Sequence, residues 1–231
     1  MATPLRALIE TYAATSLNNA VRTIARRFPL IFCAGNPHSS KIALSYDDGP
    51  HPVDTPALLD VLARHQVTAT FAWLGEKIEA HPELVAQAAT AGHQIMIHGY
   101  RHRSFLLERP AALHAMLDTT RDLIARHAQR DPATIVSVRP PFGHLSQQVL
   151  TNLAHWGYQP VLCSIMPVHW MQPAAFSVRQ VVAQIEGGSL IVLHEALSGP
   201  PIAQLTDAIL QQIRTQPWQF VTIDALRTAS R

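Results

Sequence analysis

The sequence predicts an α/β fold, an incomplete and distorted (β/α)7 barrel behind an extra N-terminal helix. Two observations lead there. From residue 41 onward, short apolar runs rich in β-formers alternate with amphipathic helical stretches, the order of a parallel sheet. The polar residues capable of chemistry stand just after those runs, each at the carboxyl end of a different strand. In a barrel such ends gather on one face. In an open sheet the first and sixth strands would lie far apart.

The elements follow in order. Residues 5–28 have helix spacing: Leu5, Leu8, Ile9 and Tyr12 share one face, then Leu17, Val21, Ile24 and Phe28 another after a slip. Arg22, Arg26 and Arg27 suit a helix C-terminus. Asn36-Pro37-His38-Ser39-Ser40 breaks the chain as a linker. Residues 1–40 are therefore expected to form a helical extension, and 41–231 one domain. Strands are expected at 42–46, 67–73, 94–97, 134–138, 160–165, 189–193 and 219–223. Helices are expected near 55–65, 82–91, 109–129, 146–156, 177–186 and 202–215, with Pro56 and Pro82 near two starts.

Composition bounds the function. A chain of 231 residues fits a single domain. With 48% hydrophobic and 15% charged residues, it can bury a core and is not disordered. A net charge of +2, with no Lys/Arg cluster among aromatics, argues against nucleic acid. Cys33 and Cys163 make no disulfide framework, and Cys163 sits in an apolar run that suggests burial. No run approaches the ~20 apolar residues of a membrane span. The start lacks a basic region followed by a long apolar core, so the chain is expected in the cytoplasm or peripheral to the membrane. Residues 5–28 are expected to pack on the barrel or a second subunit, with a membrane-surface helix as the alternative. The oligomeric state stays open.

The chemistry begins at Ser45-Tyr46-Asp47-Asp48-Gly49-Pro50 and continues, fifty residues after Asp48, at His98-Gly99-Tyr100-Arg101-His102. Two histidines four apart and one distant carboxylate supply three ligands for a zinc-like metal. That leaves a position for water, as in catalytic sites. The other carboxylate is free to act on that water, which suggests metal-assisted hydrolysis. His65, His114, His127 and His155 fall in helical stretches and show no partner pattern.

Two further boxes, Arg139-Pro140-Pro141-Phe142-Gly143 and Ile191-Val192-Leu193-His194, complete a likeness. Over roughly residues 41–226 the chain resembles the polysaccharide deacetylases, the NodB-homology domain of carbohydrate esterase family 4. His51-Pro52 and Ala69-Thr70-Phe71 also look familial. The resemblance implies a divalent metal held by Asp48, His98 and His102, zinc first, with cobalt, nickel or manganese as alternatives. It implies Asp47 as general base for the attacking water and Arg139 as the cation that keeps Asp47 ionised. His194 would be the general acid. Phe142 would lend a backbone N–H to the oxyanion, and Phe142 and Trp170 an apolar wall for substrate. The implied partner is an acetylated carbohydrate, and the implied reaction is removal of N-acetyl groups from an amino sugar or its polymer. O-acetyl ester cleavage, deformylation or deacylation of a lipid-linked or small amide, and non-catalytic carbohydrate binding are the alternatives.

Two departures stand out. The family's fourth box reads Asp-x-x-Asp-Trp, but here it is Met166-Pro167-Val168-His169-Trp170. A neutral surround predicts a lowered His194 pKa and a smaller protonated fraction at neutral pH. Glu195, beside His194, is a candidate for the missing charge, and His169 for a substituted polar partner. Gly99 replaces the usual Ser or Thr and, with Met96 and Ile97, predicts a more apolar pocket.

Overall fold

The computed structural model describes Asn19, Thr23 and residues 27–230. The expected helix over 5–28 therefore lies almost wholly outside the described residues. The remainder is the expected α/β fold. Strands β1 (Lys41–Gly49), β2 (Thr70–Trp73), β3 (Gln94–Ile97), β4 (Ser137–Val138), β5 (Gln159–Pro160), β6 (Leu190–His194) and β7 (Gln219–Phe220) form one parallel sheet. Its order is β5-β4-β3-β2-β1-β6, with β7 on β1. Helices α1 (Asp54–His65), α2 (Gly75–Ala80), α3 (Pro82–Thr90), α4 (Pro110–Ala128), α5 (Gln147–His155), α6 (Ala174–Gln184), α7 (Ile202–Ile213) and α8 (Ile223–Thr228) intervene.

The strands read as near-continuous apolar runs because both faces of a helix-covered parallel sheet are buried. In β1 the period of two is explicit. Ile42, Leu44 and Tyr46 join the large cluster shared with the helices. Ala43 belongs to a smaller cluster with Ala72, Met96, Leu190 and Val192, and Ser45 on the same face meets Arg139.

First and sixth strands are neighbours, pairing from Ala43↔Leu190 to Asp47↔His194. The ladder does not close between β5 and β6. Residues 161–165, expected as strand, cross that gap with single bridges, Phe32↔Val161 and Ile165↔Ile191. The barrel is thus incomplete, with a seam. Residues 219–223, also expected as strand, pair only at 219–220 before α8 begins. Ile223 and Leu226 of α8 pack into the smaller cluster. Thr70 and Gln94 side chains accept the N–H groups of Ile223 and Asp224. The six-residue helices α2 and α8 are too short to show a periodicity in sequence. Among the described residues no helix is long and apolar enough to cross a membrane.

Candidate active site

The carboxyl ends of β1, β3, β4 and β6 bring the expected residues around one cavity of about 640 Å³. Asp47 and Asp48 are consecutive, and consecutive strand residues point to opposite faces. Both nevertheless line this cavity. The pairing of β1 with β2 explains how, since Asp47↔Ala72 is followed by Gly49↔Trp73 and leaves Asp48 as a bulge. Asp48 takes a φ of 73°, in the left-handed region that side chains rarely adopt. The Lys77 ammonium donates to the Asp48 carbonyl at 2.5 Å and holds the bulge. The next peptide, Gly49–Pro50, is cis. A Cβ on Gly49 would collide with the Glu195 carboxylate and the Trp73 indole.

Asp48, His98 and His102 bring their ligand atoms within 4.8 Å of one another. Asp48 Oδ1 lies 3.3 Å from both His98 Nε2 and His102 Nε2. His98 Nδ1 is 2.8 Å from the Arg139 carbonyl, which can only accept, so this nitrogen donates. A neutral His98 then aims a lone pair at the carboxylate. Asp48 Oδ1 is itself buried without a hydrogen-bond partner among the described residues. Acceptors facing one another fit a shared cation, and a histidine fixed by donating to a carbonyl is the usual support of such a ligand. Burial works to raise the Asp48 carboxyl, but the imidazoles of His98, His194 and His102 around it favour its charged form and bring it down to about 2. Burial also lowers the pKa of His102, against the pull of Asp48.

The second carboxylate has a different neighbour. Asp47 and Arg139 are both buried and form a close ion pair through Arg139 Nη1. The same nitrogen donates to Ser45 Oγ at 3.0 Å. Across the β1–β6 pair, Asp47 stands beside His194. Burial pulls the His194 pKa down, opposed by Asp47 and Asp48. The His194 Nδ1 is buried without a hydrogen-bond partner among the described residues, and the Trp170 ring packs edge-on against the imidazole at 4.7 Å.

The two candidates for the missing carboxylates turn out otherwise. Glu195 is fully buried and turned away, accepting from Thr55 Oγ1 and, at 2.8 Å, from Trp73 Nε1. Burial raises its carboxyl to about 7. His169 meets the backbone of His194 instead of its ring, taking the His194 N–H on Nε2 at 3.0 Å. Burial holds His169 down to about 4, so it is neutral there. Thr55, Trp73 and Lys77, which brace the end of β1, carried no signal in sequence beyond their ordinary elements. Phe142 has a φ of 60° and an exposed ring, with its centroid 4.4 Å from that of His102. His65, expected without a partner, meets Asp207 at 2.7 Å on the outer surface.

A family model described as polysaccharide deacetylase matches residues 34–161. The chain is 34% identical over 169 residues to a chitooligosaccharide deacetylase of Sinorhizobium fredii, covering 72% of this chain and 77% of that protein. It is 29% identical over 189 residues to a peptidoglycan-N-acetylglucosamine deacetylase of Listeria monocytogenes. That match covers 81% of this chain but only 39% of the longer protein. In three dimensions it is similar to a family 4 carbohydrate esterase of Bacillus subtilis, with a TM-score of 0.80 at 25% identity, covering 92% of this chain and 90% of that one.

Proposed function

The chain belongs to the polysaccharide deacetylase family, and from that premise we propose that it removes N-acetyl groups from an amino sugar or its polymer by metal-dependent hydrolysis. The observation that carries this reading is the separation of two adjacent carboxylates into different company. Asp48 stands with two imidazoles, and Asp47 with an arginine and a third imidazole.

Asp48, His98 and His102 would hold the divalent metal. One carboxylate and two imidazoles favour zinc, with cobalt, nickel or manganese also compatible. When bound, the metal supplies Lewis-acid polarisation of the acyl oxygen and eases ionisation of water. Asp47, oriented by Arg139, takes the proton of the attacking water. His194 returns a proton to the departing nitrogen. The Phe142 backbone N–H is the proposed donor to the developing oxyanion. Trp170 and Phe142 flank the substrate.

A second reading has one specific support. A lowered His194 pKa weakens the acid, and an alkoxide needs less help to leave than an amine. O-acetyl ester cleavage therefore stands next to amide cleavage. The test is turnover of N-acetyl, O-acetyl and N-formyl oligosaccharides by zinc-loaded protein. Asp47→Ala should keep the metal and lose about 10²–10⁴ in kcat, while Asp48→Ala should lose the metal. Bound zinc with no turnover on any of the three would leave carbohydrate binding without catalysis.

A further inference from the structure

The cavity is too apolar for its metal site to be its whole content. Among the described residues, its charged and imidazole side chains are those already assigned to the reaction. Much of the remaining wall is Ile31, Phe142, Leu145, Leu162, Val192 and Leu197, none with a polar side-chain atom. Sugar hydroxyls pressed against such a wall would lose water and find no partner. An acetyl methyl, at the other extreme, fills little of about 640 Å³.

The shape also has a direction. On the inward face of β6, Val192 lies two residues before His194, so it sits one pleat repeat, ~7 Å, deeper than the imidazole. Val192, Ile31 and Cys163 are buried at 2%, 5% and 8% exposure, while Phe142 and Leu197 at the opening are 61% and 42% exposed. The Cys163 thiol, pushed up to about 12 by burial, stays neutral. A polysaccharide can lie across the opening, where water reaches its hydroxyls. Only a terminal group can enter the floor. In an N-acyl sugar that terminal group is the acyl chain. Ile31 and Leu162 come from just outside the family-matched stretch and pack together with Cys33, Leu145 and Leu150.

We propose that, besides acetyl, this site accepts and favours aliphatic acyl chains longer than acetyl, lodged between Ile31, Leu162 and Val192. The proposal rests on the amide-hydrolase reading above. Water's oxygen joins the acyl carbon, the C–N bond breaks, and the nitrogen leaves protonated, giving a fatty acid and a free amino sugar.

The experiment compares chitobiose N-acylated with acetyl, butanoyl, hexanoyl or octanoyl groups, measuring release of free amine by zinc-loaded protein. The octyl glycoside of N-acetylglucosamine is the control for a chain on the other side of the amide. The expected result is a kcat/KM that rises through hexanoyl, up to about fourfold per methylene. Leu162→Ser should lower the hexanoyl-to-acetyl ratio at least tenfold, with an unchanged circular dichroism spectrum. An acetyl substrate cleaved best, with longer chains slower, overturns the proposal and leaves the deacetylase reading standing. A gain confined to the octyl glycoside overturns it in favour of a chain on the amine side. If no acyl sugar is cleaved, the hydrolase reading fails, and binding to metal-free protein decides. N-octanoylglucosamine bound at least tenfold tighter than N-acetylglucosamine, by tryptophan fluorescence, sustains the acyl cavity; equal affinity removes it.

Discussion

Glu195 is the residue whose surroundings differ most from what its sequence position suggests. It follows His194, yet its carboxylate is sealed under Thr55 and Trp73. Its pKa rises from an ordinary 4.5 to about 7, so the folded chain holds a proton there that the unfolded chain gives up. Stability from this residue is full below pH 4.5 and is lost as pH rises to about 7. The difference is roughly 3 kcal/mol at ~1.4 kcal/mol for each tenfold change. Glu195→Gln keeps an acceptor for the indole and should flatten the fall in Tm between pH 5 and 8; parallel curves for both proteins would refute this. His169 gives a second expectation. His169→Asp would put a carboxylate near His194 and raise its pKa. Because a general acid works protonated, the falling limb of kcat/KM should then move to higher pH. A limb that does not move would separate His194 from that proton.

At the scale of elements, the end of β1 decides the site. A regular strand would send Asp47 and Asp48 to opposite faces. The bulge at Asp48 turns both inward. Gly49 closes the turn where only glycine fits, under Glu195 and Trp73. Gly49→Ala should therefore cost several kcal/mol, at the large end for single substitutions, and lower metal occupancy as well as Tm. A variant with wild-type Tm would show that the turn has slack. The seven apolar runs and the boxes after them were legible because strand burial and strand-end chemistry both write themselves in residue order. The bulge was not, because one extra residue in a ladder leaves no trace in composition. Nor was the direction of Glu195, which depends on Thr55 of α1, 140 residues earlier in the chain and beyond the reach of any local pattern. Residues 161–165 have the residues of a strand but lack a continuous partner, and so make only bridges.

At the scale of the whole molecule, the barrel has a strong side and a weak one. β1, β2, β3 and β6 are continuously paired and fully buried apart from their ends. They carry Asp47, Asp48 and His194 and lead directly into His98. The weak side is the seam between β5 and β6 at residues 161–165, fastened to Phe32 and to Ile191 of β6 by single bridges. Amide protons opening by local fluctuation should accordingly exchange earliest around 161–166 and latest in 43–46, read residue by residue in deuterium. Equal protection in both stretches would contradict it. The walls that move in such an opening include Leu162 and Cys163, whereas the ligand set stays on the protected side. A vessel hinged in this way can change its width without changing its chemistry, so selection for a new guest could proceed at the seam while the machinery on the other side stays untouched.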